Sequence, residues 1–300
     1  MRCTVKQEDR FVSERLFPAC DIVILSPSLV VEQDIKLRSK TEDTLVVFCK
    51  TDFVLWFFDI CKNIHDTKYI LVTHNSDFPI TTDVFLKKPS NIVKWYGQNI
   101  DHFHPILESI PIGSHVATWI GEVKKVDNAP YGIKHPDFVE IPETNNKKKY
   151  KNLAYMDFGI WTNTGHREPV YRYFKNKGWV TAKECGSSPS DYKNSKDFVS
   201  IRQQCQNIYD HKFIISPLGN GYDCGRNWLS IYLGSIPVIP WHKNIQFYKD
   251  MPIVTYKDME EITEDFLLEK YDEITSKKAS LNKSKISYWS KRLQSDKNNT

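Results

Sequence analysis

The chain has 300 residues, about twice the ~150 residues of a typical domain, so two domains with separate cores are the starting expectation. Hydrophobic residues at 40% and charged residues at 26% give the balance of an ordinary globular protein. Basic and acidic residues number 41 and 37, and the net charge of +4 excludes the strong basic excess of a nucleic-acid binder while leaving room for a local pocket for one diphosphate.

The N-terminal stretch Met1–Arg15 is charged and has no apolar core of signal-peptide length. No run approaches the ~20 apolar residues of a membrane span, so a cytoplasmic protein without an anchor is expected. Seven cysteines, with no C-x-x-C pair, fit a reducing compartment. Short apolar runs then follow in order: Asp21–Leu25, Thr44–Phe48, Tyr69–Val72 and Ile92–Trp95, and later Leu153–Phe158, Phe213–Ser216, Ile236–Ile239 and Ile253–Thr255. Helical patterns lie between them at Thr51–Asn63, Arg167–Asn176, Asp197–Tyr209, Arg226–Leu233 and Glu261–Lys270. This alternation predicts α/β architecture with buried parallel strands.

The polar stretch Glu143–Lys151, with its Lys147–Lys149 run, marks the domain boundary. The expected division is 1–145, 146–278 and a closing segment 279–300. That last segment carries Leu281, Ile286, Trp289 and Leu293 at roughly helical spacing and would pack back across the first domain, with Gln294–Thr300 as a frayed end. Two doubly wound domains would face each other across a cleft at the carboxyl ends of their strands.

The most informative stretch runs from Phe213 to Pro240. A strand ends at Ser216, a loop follows with Gly219 and Gly221, a helix begins near Asp223–Arg226, and Gly234 closes it before the next strand. Glycines let backbone approach a ligand, a helix start offers N–H groups and a positive dipole end, and Arg226 can fork onto phosphate oxygens. The combination describes a diphosphate site.

Ser216, Pro217, Gly219, Gly221, Asp223, Arg226, Trp228, Gly234, Ile236, Pro237, Val238 and Ile239 match, without a gap, the signature of exostosin-like glycosyltransferases, which the chain resembles. Thr73-His74-Asn75-Ser76-Asp77, the run Trp95 to Asp101, His104-Pro105, Pro111-Ile112-Gly113, and Phe158 to Arg167 resemble further family segments. The resemblance implies a GT-B fold of two facing Rossmann-like domains and inverting transfer of a sugar from a nucleotide diphosphate donor, mostly a UDP-sugar, to a hydroxyl of a glycan acceptor. Compact unanchored relatives occur in large DNA viruses and bacteria, and the viral ones decorate capsid glycans, which suggests UDP-xylose as the donor. One position departs from the pattern: Leu229 stands where the family carries the acidic residue that grips the donor ribose.

Inversion requires a base on the first domain, and Asp77 is the first candidate, His74 the second and Asp101 the third. Donor contacts fall to Arg167, Arg226, Thr162, Asn163, Ser216, Gly219, Asn220, Gly221, Tyr222 and Asp223, with Ser230 or Asp223 substituting at the ribose. Gln98, Asn99 and Asp101 are expected on the acceptor side, and Trp228 in the core. No DxD motif is present and His102 and His104 lack a carboxylate partner at ligand spacing, so no metal or other cofactor is expected beside the co-substrate. The competing readings are an inactive, carbohydrate-binding relative, for which Leu229 argues, and a sugar-nucleotide epimerase or phosphorylase, against which the missing N-terminal G-x-G-x-x-G speaks.

Overall fold

The computed structural model describes residues 5–113, 150, 152–183, 188, 201–277 and 279–300. The boundary stretch Glu143–Lys151 lies outside them except for Tyr150, as do the Lys147–Lys149 run and the first residues of the Asp197–Tyr209 helix.

The first sheet is built from β1 (Ile22–Ile24), β2 (Thr44–Lys50), β3 (Lys68–His74), β4 (Ile92–Gly97) and β5 (Leu107–Ser109), all parallel and in that spatial order. Right-handed crossovers between strands laid down in sequence return on the same side each time. Accordingly α1 (Leu29–Arg38), α2 (Val54–Cys61) and α3 (Thr82–Leu86) all pack on one face, where Leu45, Val47, Cys49, Tyr69, Leu71 and Trp95 point. Ser28 and Thr81 cap α1 and α3 by accepting from the N–H groups of Val31 and Val84.

The second sheet contains β6 (Asn152–Met156), β7 (Val180–Ala182), β8 (His211–Ile215), β9 (Ile236–Pro240) and β10 (Val254–Tyr256), again parallel. Its spatial order is β10-β9-β8-β6-β7. The chain steps outward from β6 to β7, then returns past β6 to lay down β8, so the winding reverses between β6 and β8. Helices α4 (Thr164–Phe174) and α7 (Glu264–Ser276) cover one face. Helices α5 (Ile201–Tyr209) and α6 (Gly225–Tyr232) cover the other.

The singly wound first sheet leaves Val46, Phe48, Ile70, Val72 and Tyr96 pointing away from its own helices. The final helix α8 (Ile286–Asn298) crosses back to cover them with Ile286, Trp289 and Leu293, beside Phe11 and Leu16. Contrary to the frayed end expected for Gln294–Thr300, α8 stays helical to Asn298. Lys297 Nζ lies 2.7 Å from both Asp21 carboxylate oxygens and 3.1 Å from Glu42, and the Tyr96 hydroxyl donates to Asp296. These polar contacts supply the order that an apolar pattern alone did not announce.

Trp289 is fully buried, packs edge-on against Tyr96 at 5.8 Å and donates its indole N–H to the Lys283 carbonyl at 2.9 Å. Trp289→Ala is expected to cost about 3–5 kcal/mol in urea unfolding. A cost below about 1 kcal/mol would mean that the first sheet does not depend on α8 for its second face.

Candidate functional site at the strand reversal of the second sheet

In an open α/β sheet the carboxyl ends of the two strands that flank a winding reversal splay apart and leave a crevice. Here the crevice lies between Asp157-Phe158-Gly159 after β6 and Ser216-Pro217-Leu218 after β8. Two arginines occupy it. Arg226, in the first turn of α6, donates from Nε to the Asp157 carbonyl at 3.2 Å and from Nη1 to the Ser216 hydroxyl at 3.3 Å. Arg167, from α4, donates from Nε to the Leu218 carbonyl and from Nη1 to the Gly159 carbonyl, each at 2.7 Å. Their guanidinium carbons sit 5.4 and 5.9 Å from the centre of the Phe158 ring, so one aromatic holds both cations.

The two arginines are not equivalent. Arg167 is buried, and its fork ties the two strand-end loops together. Arg226 is partly exposed, and among the described residues no carboxylate pairs with it and no hydrogen bond involves its Nη2. A cation held by neutral acceptors in a half-buried crevice favours an anionic ligand. Ser216 is also placed here, but as a brace: its hydroxyl donates to Asn227 at 2.6 Å while accepting from Arg226.

The glycine loop is close by, though its glycines serve a different purpose from the one expected. Neither Gly219 nor Gly221 has a positive φ. A Cβ at Gly221 would stand 2.4 Å from the Asn99 amide nitrogen, and one at Gly219 would stand 3.3 Å from Arg167 Nη2. Gly221 therefore admits a side chain of the first domain rather than a phosphate, and Gly219 admits the guanidinium. Asn163 fastens the same loop by donating to the Gly219 carbonyl at 2.7 Å. Thr162, in the short 3-10 turn Ile160–Thr162, stands beside it on the same rim.

Across the gap, Asp77 is exposed in the loop after β3 and accepts from the Asn220 amide at 3.2 Å. The structure therefore brings the candidate base into hydrogen-bond contact with the glycine loop. It removes His74 from that role. His74 is buried, its Nε2 lies 2.9 Å from the Pro111 carbonyl, and its Nδ1 lies 2.8 Å from the Asn75 backbone nitrogen and 2.7 Å from the Asn75 side-chain amide. Since a carbonyl only accepts, Nε2 carries the proton, and neither nitrogen is open to an acceptor hydroxyl.

Asp223 and Ser230 are likewise not donor contacts. The Asp223 carboxylate accepts from the N–H groups of Ile112 and Cys224, the Trp228 indole and the Asn227 amide, all between 2.8 and 3.1 Å. Burial pushes its carboxyl up to about 6 although each of those bonds works in the opposite direction. Ser230 is buried and donates back to the Arg226 carbonyl at 2.7 Å.

The expected acceptor residues form the interdomain seam instead of an open wall. Gln98 and Asn99 are buried and hold the Ser76 carbonyl, while Asn99 Oδ1 accepts from the Asp223 N–H at 2.9 Å. Asn75 and Asn99 both adopt left-handed φ values, 60° and 58°, and flank this seam. Asp101 pairs with Lys243 at 3.0 Å.

Sequence reasoning missed His242, just beyond β9. Both its ring nitrogens are buried and lack a hydrogen-bond partner among the described residues, and the ring stacks on Tyr222 at 5.5 Å. It also missed the Asp157 and Phe158 backbone and ring at the strand end, although the apolar run Leu153–Phe158 ended there. An open depression of about 940 Å³ lies elsewhere, lined by Glu32, Lys36, Glu42, Trp56 and Asp59, which come from α1, α2 and the segment after α1. Its mixed charges offer no convergent chemistry.

No family model matches the chain, and no curated protein matches it. It is similar to a solved structure described as the crystal structure of a GtfA/B complex, at 10% identity and a TM-score of 0.36. The likeness covers 89% of this chain and 57% of that one, so the chain spans less than two thirds of the matched protein's length. No helix among the described residues is long and apolar enough to cross a membrane.

Burial lowers the His242 pKa from 6.5 to about 4, so the unfolded chain takes up this proton first as pH falls. Stability is therefore fully present above about 6.5 and declines toward pH 4 by about 1.4 kcal/mol per pH unit. His242→Phe keeps the stack on Tyr222 and is expected to make the decline between pH 7.5 and 5 shallower by about 2 kcal/mol in urea unfolding. Identical slopes in the two proteins would show that the ring is not neutral in the native state.

Proposed function

We propose that the chain is an inverting glycosyltransferase of GT-B architecture that moves a sugar from a UDP-sugar to a hydroxyl of a glycan. The observation that carries this reading is the partly exposed guanidinium of Arg226 at the strand reversal, paired with no carboxylate among the described residues, with Asp77 bonded to the neighbouring glycine loop. The diphosphate lies on Arg226, within the field of Arg167 and the first turn of α6. As the bond from the anomeric carbon to the leaving phosphate oxygen breaks, negative charge grows on that oxygen, and these cations stabilise it. Asp77 takes the proton from the acceptor hydroxyl, whose oxygen attacks the opposite face of the anomeric carbon. No metal is needed in this scheme, so activity is expected to persist in excess EDTA. The exostosin-like signature around Arg226 supports the same reading, and UDP-xylose is the first donor to try.

A thermal-shift screen against nucleotides and nucleotide sugars identifies the donor, with about 2–3 kcal/mol of stabilisation expected at a hundredfold excess over Kd. With that donor, Arg226→Gln is expected to lower kcat/KM about a hundredfold or more. Asp77→Asn is expected to lower kcat by about 10²–10⁴ with donor affinity retained. Full activity in either variant, or abolition by EDTA and rescue by manganese, would refute the mechanism.

A second reading, a transferase-like protein that binds carbohydrate without turning it over, is favoured by Leu229. That side chain is buried against Tyr155, Cys205 and Ile208, where the signature has a carboxylate for the ribose. Hydrolysis of the donor by the purified protein separates the two.

A further inference from the structure

With Gln98 and Asn99 sealed inside the seam, the acceptor is left to its rim, and the rim carries aromatics that packing does not account for. Phe78, Phe103 and Trp241 are 63%, 49% and 44% exposed, and every other Phe, Tyr and Trp among the described residues is more deeply covered. Single apolar residues scattered on a surface are ordinary. These three are not scattered, because each stands within two residues of a contact that joins the domains. Phe78 follows Asp77, which bonds Asn220. Trp241 opens the turn after β9, two residues before Lys243. Phe103 lies two residues beyond Asp101, with which Lys243 pairs at 3.0 Å. Parallel strands end on one edge of their sheet, and these contacts bring the segments after β3, β4 and β9 together at the cleft.

The row has a direction. Ile80 pairs with Ile100 in a parallel bridge, and Thr82 Oγ1 lies 3.0 Å from His102 Nδ1, so the segments carrying Phe78 and Phe103 run side by side. Phe78 comes two residues before the bridge and Phe103 three after it, a separation of about 17 Å at full extension. Phe78 is at the Asp77 end. At the other end the Phe103 ring stands 6.4 Å from Phe247, in the short turn Lys243–Tyr248 that Trp241 leads into. The aromatics therefore start at the candidate base and extend away from it over more than one sugar ring.

The polar groups among them select the occupant. A sugar ring has an apolar C–H face and a rim of hydroxyls, so it needs a flat apolar platform flanked by hydrogen-bonding groups. Asp77, Asn220 and the Asp101–Lys243 pair stand beside the exposed rings, and the Tyr222 hydroxyl also meets Asp101. The core of a protein interface is depleted of such charges. The exposed aliphatic side chains Leu29, Val30 and Leu37 fall instead on α1.

We propose that Phe78, Trp241 and Phe103 are a row of stacking platforms for an oligosaccharide acceptor. Phe78 lies beneath the sugar that accepts transfer, and Trp241 and Phe103 lie beneath sugars farther from the reaction. This rests on the glycan reading proposed above and adds that a chain of sugars is bound better than one.

A glycan array probed in the presence of UDP identifies the strongest binder, and titration with its mono- to tetrasaccharide series tests the row. Each platform is expected to add about tenfold, so native protein binds the tetrasaccharide about a hundredfold more tightly than the monosaccharide. Phe78→Ala is expected to weaken every member about tenfold. Trp241→Ala and Phe103→Ala are each expected to weaken the tetrasaccharide about tenfold and to leave the monosaccharide within about twofold. Phe78→Tyr and Trp241→Phe, which keep a ring face, stay within about threefold of native. UDP affinity unchanged in all of them shows that the variants fold. Equal affinity along the series, or a tetrasaccharide indifferent to Trp241→Ala and Phe103→Ala, overturns the row. Self-association of the native protein that the three alanine variants lose overturns it too, by assigning the rim to a second copy. If UDP binds and no glycan on the array does, the row falls and the donor cradle stands. If UDP fails to bind while the series behaves as expected, the cradle falls and the row stands.

Discussion

One buried carboxylate holds the two halves of the site in register. Asp223 accepts from Ile112 of the first domain and from Cys224, Asn227 and Trp228 of its own, and its N–H is taken by Asn99 from across the seam. The segment between β8 and α6 is thereby fixed at both ends: strand pairing and the Ser216 contacts hold one, and the first domain holds the other. A carboxylate with four N–H donors and no cation sits in a region where two guanidinium groups are near. Its saturation keeps it from neutralising them. The anionic residue closest in sequence to Arg226 is thus spent on architecture, and the positive potential at the strand reversal survives.

That potential is shaped by backbone geometry more than by charge count. Arg167 and Arg226 are oriented by carbonyls that terminate β6 and β8 or follow them, and the Phe158 ring between them restricts where the two cations stand. Neutral acceptors orient a guanidinium without cancelling its charge, which is the condition for a preorganised anion site. A salt bridge at Arg226 would give the same orientation at the expense of the field. The mild net charge of +4 is consistent with such an arrangement, because the effect depends on two placed cations and not on a basic surface.

Eight of the ten strands among the described residues coincide with short apolar runs legible in the sequence, because strands covered on both faces are largely apolar. Strands β5 and β7 were not, because Leu107-Glu108-Ser109 and Val180-Thr181-Ala182 are too short and too polar to stand out as apolar runs. Helix α1 also escaped: Ile35 is its buried position, while Leu29, Val30 and Leu37 face solvent, so no helical period exists to read. The segment from Phe213 to Pro240 announced a strand, a close-approach loop and a helix carrying Arg226, and the structure places them so. What it did not reveal is what each glycine approaches. A sequence shows that Gly221 removes a side chain, while the object that fills the space, Asn99, comes from a loop 122 positions away. The same limit applies to His74, Gln98 and Asn99, whose polar character suggested ligands. Long-range partners satisfy them internally.

The fate of position 229 follows from the same accounting. On α6, Leu229 points into the layer formed with α5, against Ile208, Ile214 and Leu233. A glutamate there would bring a carboxylate into an apolar cluster without a partner among the described neighbours, at a cost of several kcal/mol unless its stem snorkelled out to the crevice. Ser230 is turned back onto its own helix and Asp223 is saturated. None of the three residues considered at the ribose, Asp223 before α6 and Leu229 and Ser230 on it, is therefore available. In the proposed scheme the donor's ribose is held by groups other than these three.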